Sequence, residues 1–215
     1  MNGRVSSKTG YLTRLSLFLA IVIVLTVFNI GNIPIGPIVA TIYQVPVIIG
    51  AVILGVGAGC FLGGAWGLLS FYLAVTGQTT DIVALAVVAQ SPLIYLAISF
   101  VPRLLTGLLS GLLAKAMRKL FSQKLDFIGF AVAGAAGSLV NTVCYLGALF
   151  LLIRELLAAL FEIELGAVGA MVMGVAFSNG LVEAAVSCFL VAAVSKALVR
   201  FVPAGGKDKA KKGPE

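Results

Sequence analysis

The sequence predicts an all-α integral membrane protein built as a bundle of six transmembrane helices. Its 215 residues are 60% hydrophobic and only 11% charged, whereas soluble globular proteins average roughly 25% charged residues. Apolar stretches of about 20 residues recur along the chain, and each is long enough to cross a hydrocarbon core of about 30 Å. The basic residues gather at alternate ends of these stretches. The bilayer is therefore the expected solvent for most of the chain.

Six apolar segments are the predicted membrane spans. In chain order they cover residues 15–28, 45–54, 60–75, 102–119, 127–152 and 170–199. A glycine-rich turn at 55–59 joins the second and third, and residues 77–91 are expected to form an outer loop. Residues 91–101 are apolar but bracketed by Pro92 and Pro102. We expect Pro102 to begin the fourth helix, because proline is favourable in a first helical turn.

The placement of lysine and arginine predicts the topology. Basic residues precede the first span, lie between the fourth and fifth, and follow the sixth: Arg4, Lys8 and Arg14; Lys115, Arg118, Lys119 and Lys124; Lys196, Arg200, Lys207, Lys209, Lys211 and Lys212. By the positive-inside rule both termini are cytoplasmic, in a multi-pass protein of the cell membrane. This distribution argues against nucleic acid as a partner, despite the net charge of +7. Residues 1–204 form one membrane domain, and 205–215 form a disordered basic tail.

The usual signatures of catalysis are missing from the sequence. It has no histidine, no GxxxxGK[ST] phosphate loop and no GxSxG serine, so metalloproteases, P-loop ATPases and common serine hydrolases are unsupported. Cys60, Cys144 and Cys188 are isolated in apolar runs, where cysteine usually acts as a small buried hydrophobe. We predict that the chain is not an enzyme and that it binds neither a cofactor nor a metal.

Polar residues on three helices are predicted to converge at one depth. At about 1.5 Å per residue, Arg103 lies roughly 18 Å above the inner basic residues, Glu183 roughly 20 Å and Asn141 roughly 21 Å. Asn179 is one turn above Glu183 on the same face. Charges at membrane depth are costly and indicate function, so a substrate cavity near the outer face is expected here.

The same residues also have structural interpretations. Arg103 is equally suited to snorkelling toward headgroups or to pairing with Glu183, and the two asparagines to linking helices. The candidate site is completed by Tyr145, one turn above Asn141, and by polar residues of the first loop. That loop is uncharged and runs from residue 29 to 46; it contributes Asn32, Tyr43 and Gln44.

Small residues at four-residue spacing allow helices to approach closely in lipid. The pairs Ala131/Ala135 and Gly134/Ser138 are interpreted as internal packing. Two further pairs are candidate docking faces for another membrane subunit: Ser16/Ala20 on the first helix, and Gly107/Gly111 on the fourth.

Four stretches resemble the substrate-binding S components of energy-coupling-factor (ECF) vitamin transporters. They read IPIGPIVATIYQVPVIIGAVILG at 33–55, FVPRLLTGLLSGLL at 100–113, GSLVNTVCYLG at 137–147 and NGLVE at 179–183. The resemblance implies a six-helix protein that binds a vitamin or related micronutrient and has no ATPase of its own. It also implies docking on a membrane coupling subunit joined to two ATP-binding-cassette ATPases.

The resemblance adds expectations about partner and substrate. The family's AxxxA-like docking motif is matched most nearly by Ser16 to Ala20, with Val24 where another alanine is expected. The overall pattern is most similar to the pantothenate branch, in which Arg103 would neutralise the substrate carboxylate. Riboflavin, folate and similar substrates stay open. The alternatives of another class are a stand-alone secondary transporter or channel, and a structural membrane protein; no inverted repeat or second buried acid supports ion coupling.

Overall fold

The computed structural model describes residues 7–35, 38–120 and 126–199, so the predicted tail at 205–215 lies outside the described residues. Within these described residues the elements are seven α-helices, two short strands and a 3₁₀ turn at Leu165–Ala167. In chain order they are α1 (Ser7–Val27), β1 (Asn32–Ile35), β2 (Ile38–Thr41), α2 (Gln44–Leu54), α3 (Val56–Val75), α4 (Ile82–Gln90), α5 (Pro92–Leu120), α6 (Asp126–Leu160) and α7 (Val168–Val199).

Five of the described helices are long and apolar enough to cross a membrane, namely α1, α3, α5, α6 and α7. The predicted second span is present as α2, but its 11 residues rise only roughly 16 Å. Nearly all of α2 is buried among the other helices, from Gln44 to Val52. The helical membrane architecture agrees with the prediction, whereas α2 is too short to cross a bilayer alone.

The first loop contains a hairpin that the all-α prediction missed. Strands β1 and β2 pair antiparallel, with Ile35 opposite Ile38 at the turn and Asn32 opposite Thr41 at the open end. β2 lies against α7. Inside a helical bundle, an irregular loop must find partners for its backbone polar groups. The hairpin provides those partners within the loop itself.

The fourth predicted span begins at Pro92 rather than at Pro102, because α5 is one continuous helix of 29 residues with Pro102 inside it. An internal proline removes one backbone hydrogen bond. Membrane helices tolerate this where neighbouring groups satisfy the backbone. The bond lost at Pro102 is the one to the carbonyl of Ile98. Beside it, the Arg103 guanidinium donates to the Ser99 carbonyl (Nη1···O 2.7 Å), and the Thr106 hydroxyl donates to the Pro102 carbonyl (2.8 Å).

Two outer segments also differ from the prediction. The loop at 77–91 contains helix α4, which Asp81 caps by accepting hydrogen bonds from the amides of Val83 (2.9 Å) and Ala84 (3.1 Å). The fifth span was predicted to end at residue 152, and the structure has a kink at Ile153 (φ −139°, ψ 23°). Beyond the kink α6 continues to Leu160, so the last outer loop is shorter than expected.

Glycines allow α3 and α5 to pack with their backbones in contact. A Cβ added to Gly59 or Gly107 would collide with the carbonyl of the other residue, and one added to Gly63 would collide with the carbonyl of Arg103. Gly111 packs on the α3 backbone at Val56, and both Gly107 and Gly111 are buried. This placement assigns the Gly107/Gly111 pair to internal packing rather than to a docking face for another subunit.

The buried apolar residues form two clusters. One includes Phe18, Val47 and Leu62, and the other includes Ile98 and Leu149. On α5 and α6 the buried polar residues fall between the members of these two clusters along each helix, and on α7 Glu183 and Ser187 do, whereas Ser195 lies beyond them. The fold therefore places a polar layer between two apolar ones, and this layer contains the candidate site.

Candidate functional site

The polar layer encloses a cavity of about 530 Å³, within the range of about 300–1,000 Å³ that is usual for small-molecule sites. It is bounded by the end of α1, by α3, α5, α6 and α7, and by the loop between α3 and α4. Its lining residues are Thr26, Val27, Asn29, Tyr43, Trp66, Ser70, Leu73, Gln78, Thr79, Thr80, Asp81, Tyr95, Arg103, Thr142, Tyr145, Leu146, Val175, Asn179 and Glu183.

Arg103 carries the cation of this cavity. Its guanidinium carbon lies 4.7 Å from the centroid of the Trp66 ring and 5.6 Å from that of Tyr145. These distances are within the range of cation–π contacts, which attract a guanidinium to an aromatic face. Nη1 donates to the Ser99 carbonyl, while Nε is buried and has no hydrogen-bond partner among the described residues. The side chain is thus held in place with hydrogen-bonding capacity left over.

The glycines of α3 fix the position of this arginine. Gly63 contacts the Arg103 carbonyl and Gly67 contacts the backbone at Phe100, so α5 lies directly on α3 at this level. Trp66 is adjacent to Gly67 on α3 and extends under the guanidinium. The close approach of α3 to α5 therefore sets the height of the Trp66 ring relative to the Arg103 guanidinium.

Hydrogen bonds connect the segments above the cavity. The Tyr43 hydroxyl donates to Asn29 Oδ1 (2.5 Å), and Asn29 Nδ2 donates to Thr80 Oγ1 (3.3 Å). The Tyr145 hydroxyl donates to Asp81 Oδ2 (3.4 Å). Burial raises the pKa of Tyr43 above its usual value of about 10, so its hydroxyl is a donor at neutral pH. We call Asn29, Tyr43, Thr80 and Asp81 the roof.

Helix α7 contributes a carboxylate and an amide on one face. Glu183 is buried, and both Glu183 and Asn179, one turn away, line the cavity. The cavity therefore contains one guanidinium and two carboxylates, those of Glu183 and Asp81. No group of three or more His, Cys, Asp or Glu side chains that could hold a metal is found in the part of the chain that the structure describes.

Beneath the cavity lies a buried network that we call the floor. The amide nitrogen of Gln44, which is fully buried, donates to the hydroxyls of Ser138 (2.7 Å) and Ser187 (3.3 Å). Its amide oxygen accepts from Asn141 Nδ2 (3.1 Å), and Asn141 Oδ1 accepts from Thr106 (3.5 Å). The floor thus joins α2, α5, α6 and α7 through hydrogen bonds among its own members.

The structure separates the predicted site residues into three groups. Those that line the cavity are Tyr43, Arg103, Tyr145, Asn179 and Glu183. Gln44 and Asn141 belong to the floor, where they bond to each other. Asn32 has its backbone in β1, and its side chain is outside the described part of the chain. The predicted depth of the polar residues therefore agrees with one polar layer, but not every residue at that depth faces the cavity.

Sequence reasoning overlooked several residues that line the cavity, whose lining outside the roof we call the wall. The sequence analysis did not single out Trp66 or Asp81, yet both line the cavity. The available signal was the glycine spacing at 59, 63 and 67, which predicts close packing of α3. Trp66 immediately precedes Gly67 on α3, and Ser70 lies about one turn after it. Thr142 was missed because it neighbours the more conspicuous Asn141.

Comparison with known proteins identifies the family. The profile described as "ECF transporter, substrate-specific component" matches residues 10–195. The chain belongs to this family. It is 32% identical over 209 residues, 90% of the chain and 96% of the relative, to the pantothenic acid transporter PanT of Lactococcus lactis subsp. cremoris (strain MG1363). It is 31% identical over 143 residues, 64% of the chain and 67% of the relative, to the pantothenate transporter PanT of Leuconostoc mesenteroides subsp. mesenteroides.

Membership fixes the class of activity. The chain is a substrate-specific component of a transporter and not an enzyme, and its apolar helices are those of a multi-pass membrane protein. The matched region includes all the described residues that line the cavity, from Thr26 to Glu183.

Proposed function

We propose that this ECF substrate-specific component binds pantothenate in the described cavity and delivers it inward. A membrane coupling subunit and two ATP-binding-cassette ATPases would supply the energy. Support for the substrate comes first from two relatives that are named as pantothenate transporters, one of which aligns with nearly the whole chain. The sequence contains no phosphate loop of its own, which agrees with an external source of energy.

The observation that carries the proposal is the Arg103 guanidinium, which is held between two aromatic rings with a buried Nε left unpartnered among the described residues. Pantothenate is a carboxylate with one amide, two hydroxyls and a dimethyl-substituted carbon. Arginine is well suited to a carboxylate because its planar donors match the two oxygens. The aromatic rings keep the cation oriented without neutralising it.

The other residues that line the cavity suit the part of pantothenate beyond its carboxylate. Asn179 and Glu183 offer an amide and a carboxylate to hydroxyl and amide groups, while Leu73 and Leu146 offer apolar surface. Small-molecule sites typically combine a mostly apolar wall with a few well-placed polar groups. Riboflavin carries no carboxylate for the cation of the described lining, and the two relatives that are named as pantothenate transporters favour pantothenate over folate.

The decisive experiment compares pantothenate with panthenol, in which an alcohol replaces the carboxylate. Calorimetric titration of the purified wild type should give tighter binding to pantothenate. Arg103→Gln should weaken pantothenate binding about 10- to 150-fold, because a hydrogen bond to a charged group contributes about 1.5–3 kcal/mol. Panthenol affinity should change by less than about threefold. Arg103→Lys, which keeps the charge but not the paired donors, should fall between the two.

Three results would contradict the proposal. Equal affinity of the wild type for both ligands would mean that no carboxylate is recognised, and equal loss of both ligands in Arg103→Gln would mean that the arginine is structural. Uphill uptake by the purified chain alone in liposomes, driven by an ion gradient, would support the stand-alone secondary transporter instead.

The coupling subunit is proposed to dock on α1. Ser16 and Ala20 are exposed one turn apart, and α1 is the least buried of the five long helices. Small side chains let a partner helix approach closely, so Ala20→Leu should weaken assembly with the coupling subunit while leaving vitamin affinity unchanged. The matched control is Ala185→Leu, an exposed alanine on α7. Equal assembly of both variants in co-purification would remove α1 from the docking surface.

The orientation is proposed from the basic residues, with both termini in the cytoplasm. A cysteine introduced at Asp81, in the roof, should then react with an impermeant reagent in intact cells. A cysteine at Lys207 should react only after permeabilisation. Labelling of the Lys207 cysteine from outside would overturn this topology.

A further inference from the structure

Thr142 lines the cavity, and its hydroxyl has no hydrogen-bond partner among the described residues. The side chain is only 8% exposed, and its Oγ1 is buried without a hydrogen bond to any described residue. A buried hydroxyl that lacks a partner is unfavourable, so such a group in the wall of a cavity needs a physical explanation.

Several other hydroxyls in the same bundle find partners in their own helices, whereas those of Ser110 and Ser195, like that of Thr142, have none among the described residues. Thr26, Ser70 and Thr106 each donate to the carbonyl four residues earlier, at 2.7, 3.0 and 2.8 Å. This is the usual solution for serine and threonine in helices. Thr142 does not use the corresponding carbonyl of Ser138, although it lies in a regular part of α6.

The packing around Thr142 accounts for its orientation. A Cβ added to Gly180 on α7 would lie 2.9 Å from the Thr142 methyl carbon and 3.6 Å from its Oγ1. The absence of a side chain at Gly180 thus makes room for the methyl group, which is the part of Thr142 nearest to α7. The contact of the methyl group with Gly180 sets the orientation of the side chain. In that orientation the hydroxyl has no hydrogen-bond partner among the described residues.

Thr142 also occupies a defined level. On α6 it lies one turn from Ser138 of the floor and one turn from Tyr145, whose ring contacts the Arg103 guanidinium. On α7, Glu183 lies one turn from Ser187 of the floor and lines the cavity. Thr142 and Glu183 are therefore the wall residues next to the floor, and Arg103 lies beside the following turn of α6.

We propose that the Thr142 hydroxyl binds a neutral polar group of the substrate, a hydroxyl or a carbonyl, at the end of the molecule away from its carboxylate. This inference rests on the proposed function of the cavity. It assigns two recognition points to the wall: a cation for the acid end at Arg103, and a hydroxyl for the neutral end beside the floor. The residue selects for polar groups at that end, because an apolar substituent there would leave the hydroxyl unpaired.

The test uses Thr142→Val, which keeps the branched shape and the methyl contact with Gly180 but removes the hydroxyl. Calorimetric titration should give about 5- to 150-fold weaker binding of pantothenate. The loss should be of similar size for panthenol, since the two ligands share their neutral end. Thr142→Ser, which retains the hydroxyl but loses the methyl group that fixes it, should lose less affinity than Thr142→Val does. The ligand-free melting temperature of Thr142→Val should be unchanged or higher, because an unsatisfied buried group has been removed.

Ser195→Ala is the matched control. Like Thr142, Ser195 has a buried hydroxyl that lacks a partner among the described residues. Ser195 lies on α7, two turns beyond Ser187 and away from the cavity. The Ser195→Ala variant should bind pantothenate and panthenol as the wild type does. Wild-type affinity in Thr142→Val would overturn the inference, and so would a fall in ligand-free melting temperature that matches the loss of binding. A loss confined to pantothenate would place Thr142 at the acid end and also overturn it.

Failure of the proposed substrate gives a different pattern. A wild type that riboflavin or folate stabilises, and pantothenate does not, would overturn pantothenate as the substrate. Thr142→Val should still weaken binding of whichever vitamin binds, and by more than Thr142→Ser does, while Ser195→Ala should bind it as the wild type does. If none of the three vitamins binds the wild type, both the proposed function and the role of Thr142 are overturned.

Discussion

The floor and the wall of the cavity are built from similar polar residues, but they differ in where their hydrogen bonds go. In the floor, the Gln44 amide bonds to Ser138, Ser187 and Asn141. In the wall, the Arg103 Nε and the Thr142 hydroxyl are buried without a partner among the described residues. A satisfied polar group stabilises the bundle, whereas an unsatisfied one favours a bound molecule that supplies the missing partner.

This difference matters because the two regions share one layer of the membrane domain. Interhelical hydrogen bonds in membrane proteins contribute modestly, about 0.6 kcal/mol on average, so the floor stabilises through the number of bonds that it combines. Its polar groups also define the register of α2 against α6 and α7, since a shifted helix would leave several of them unpaired. The wall can then be open to a ligand without the bundle losing its packing.

The largest effect on stability should come from the floor. Gln44→Ala removes three hydrogen bonds and leaves buried partners on α6 and α7, so the ligand-free protein should lose about 1–3 kcal/mol. Thermal unfolding in detergent measures this. The matched control is Gln78→Ala, an exposed glutamine in the loop after α3, which should leave the melting temperature unchanged.

A different result would weaken the contrast between floor and wall. If Gln44→Ala kept its ligand-free stability and lost only affinity, Gln44 would act on the substrate as the sequence analysis expected. The floor would then be part of the binding site, and its bonds to Ser138 and Ser187 would rearrange when a ligand binds.

The depth of the polar layer could be predicted from the sequence, but the direction of each side chain could not. Counting 1.5 Å per residue gives height along a helix and no information on rotation about it. Asn141 and Thr142 are at nearly the same height, yet successive residues differ by about 100° around the axis. Consequently Thr142 lines the cavity, whereas Asn141 bonds to Gln44. Only the packing of α6 on α2 and α7 decides between them.

Element boundaries failed where a tertiary contact outweighed a local rule. Pro102 is a plausible helix start by itself, but α3 packs on α5 through Gly63 and Gly67 on either side of that level and the helix continues. The β1–β2 hairpin was missed because the first loop reads as proline- and glycine-rich coil. Its pairing depends on neighbours that a local pattern does not reveal.

Asn179 in the wall and Asn141 in the floor should respond differently to replacement by alanine. Asn179→Ala, in the wall, should weaken pantothenate binding at least about tenfold, since one buried polar contact contributes about 1–3 kcal/mol. Its ligand-free melting temperature should be nearly unchanged. Asn141→Ala, in the floor, should instead lower the melting temperature, because the Gln44 amide oxygen loses its donor. Titration and thermal unfolding of both variants measure the two quantities, and the same response from both asparagines would remove the distinction between floor and wall.

The smallest effect on affinity should come from the roof, which belongs to neither the floor nor the wall. Tyr43→Phe removes only the hydroxyl that donates to Asn29 and retains the ring, whose centroid lies 6.4 Å from that of Trp66. Because this bond is exposed, its loss should change affinity by less than about fivefold. The change should appear as faster release of pantothenate, since the bond connects the segment before α2 to the end of α1 and, through Asn29, to Thr80. Stopped-flow measurement of dissociation tests this expectation. A slower association rate with unchanged release would instead mean that the hydroxyl orders the entrance before the ligand arrives.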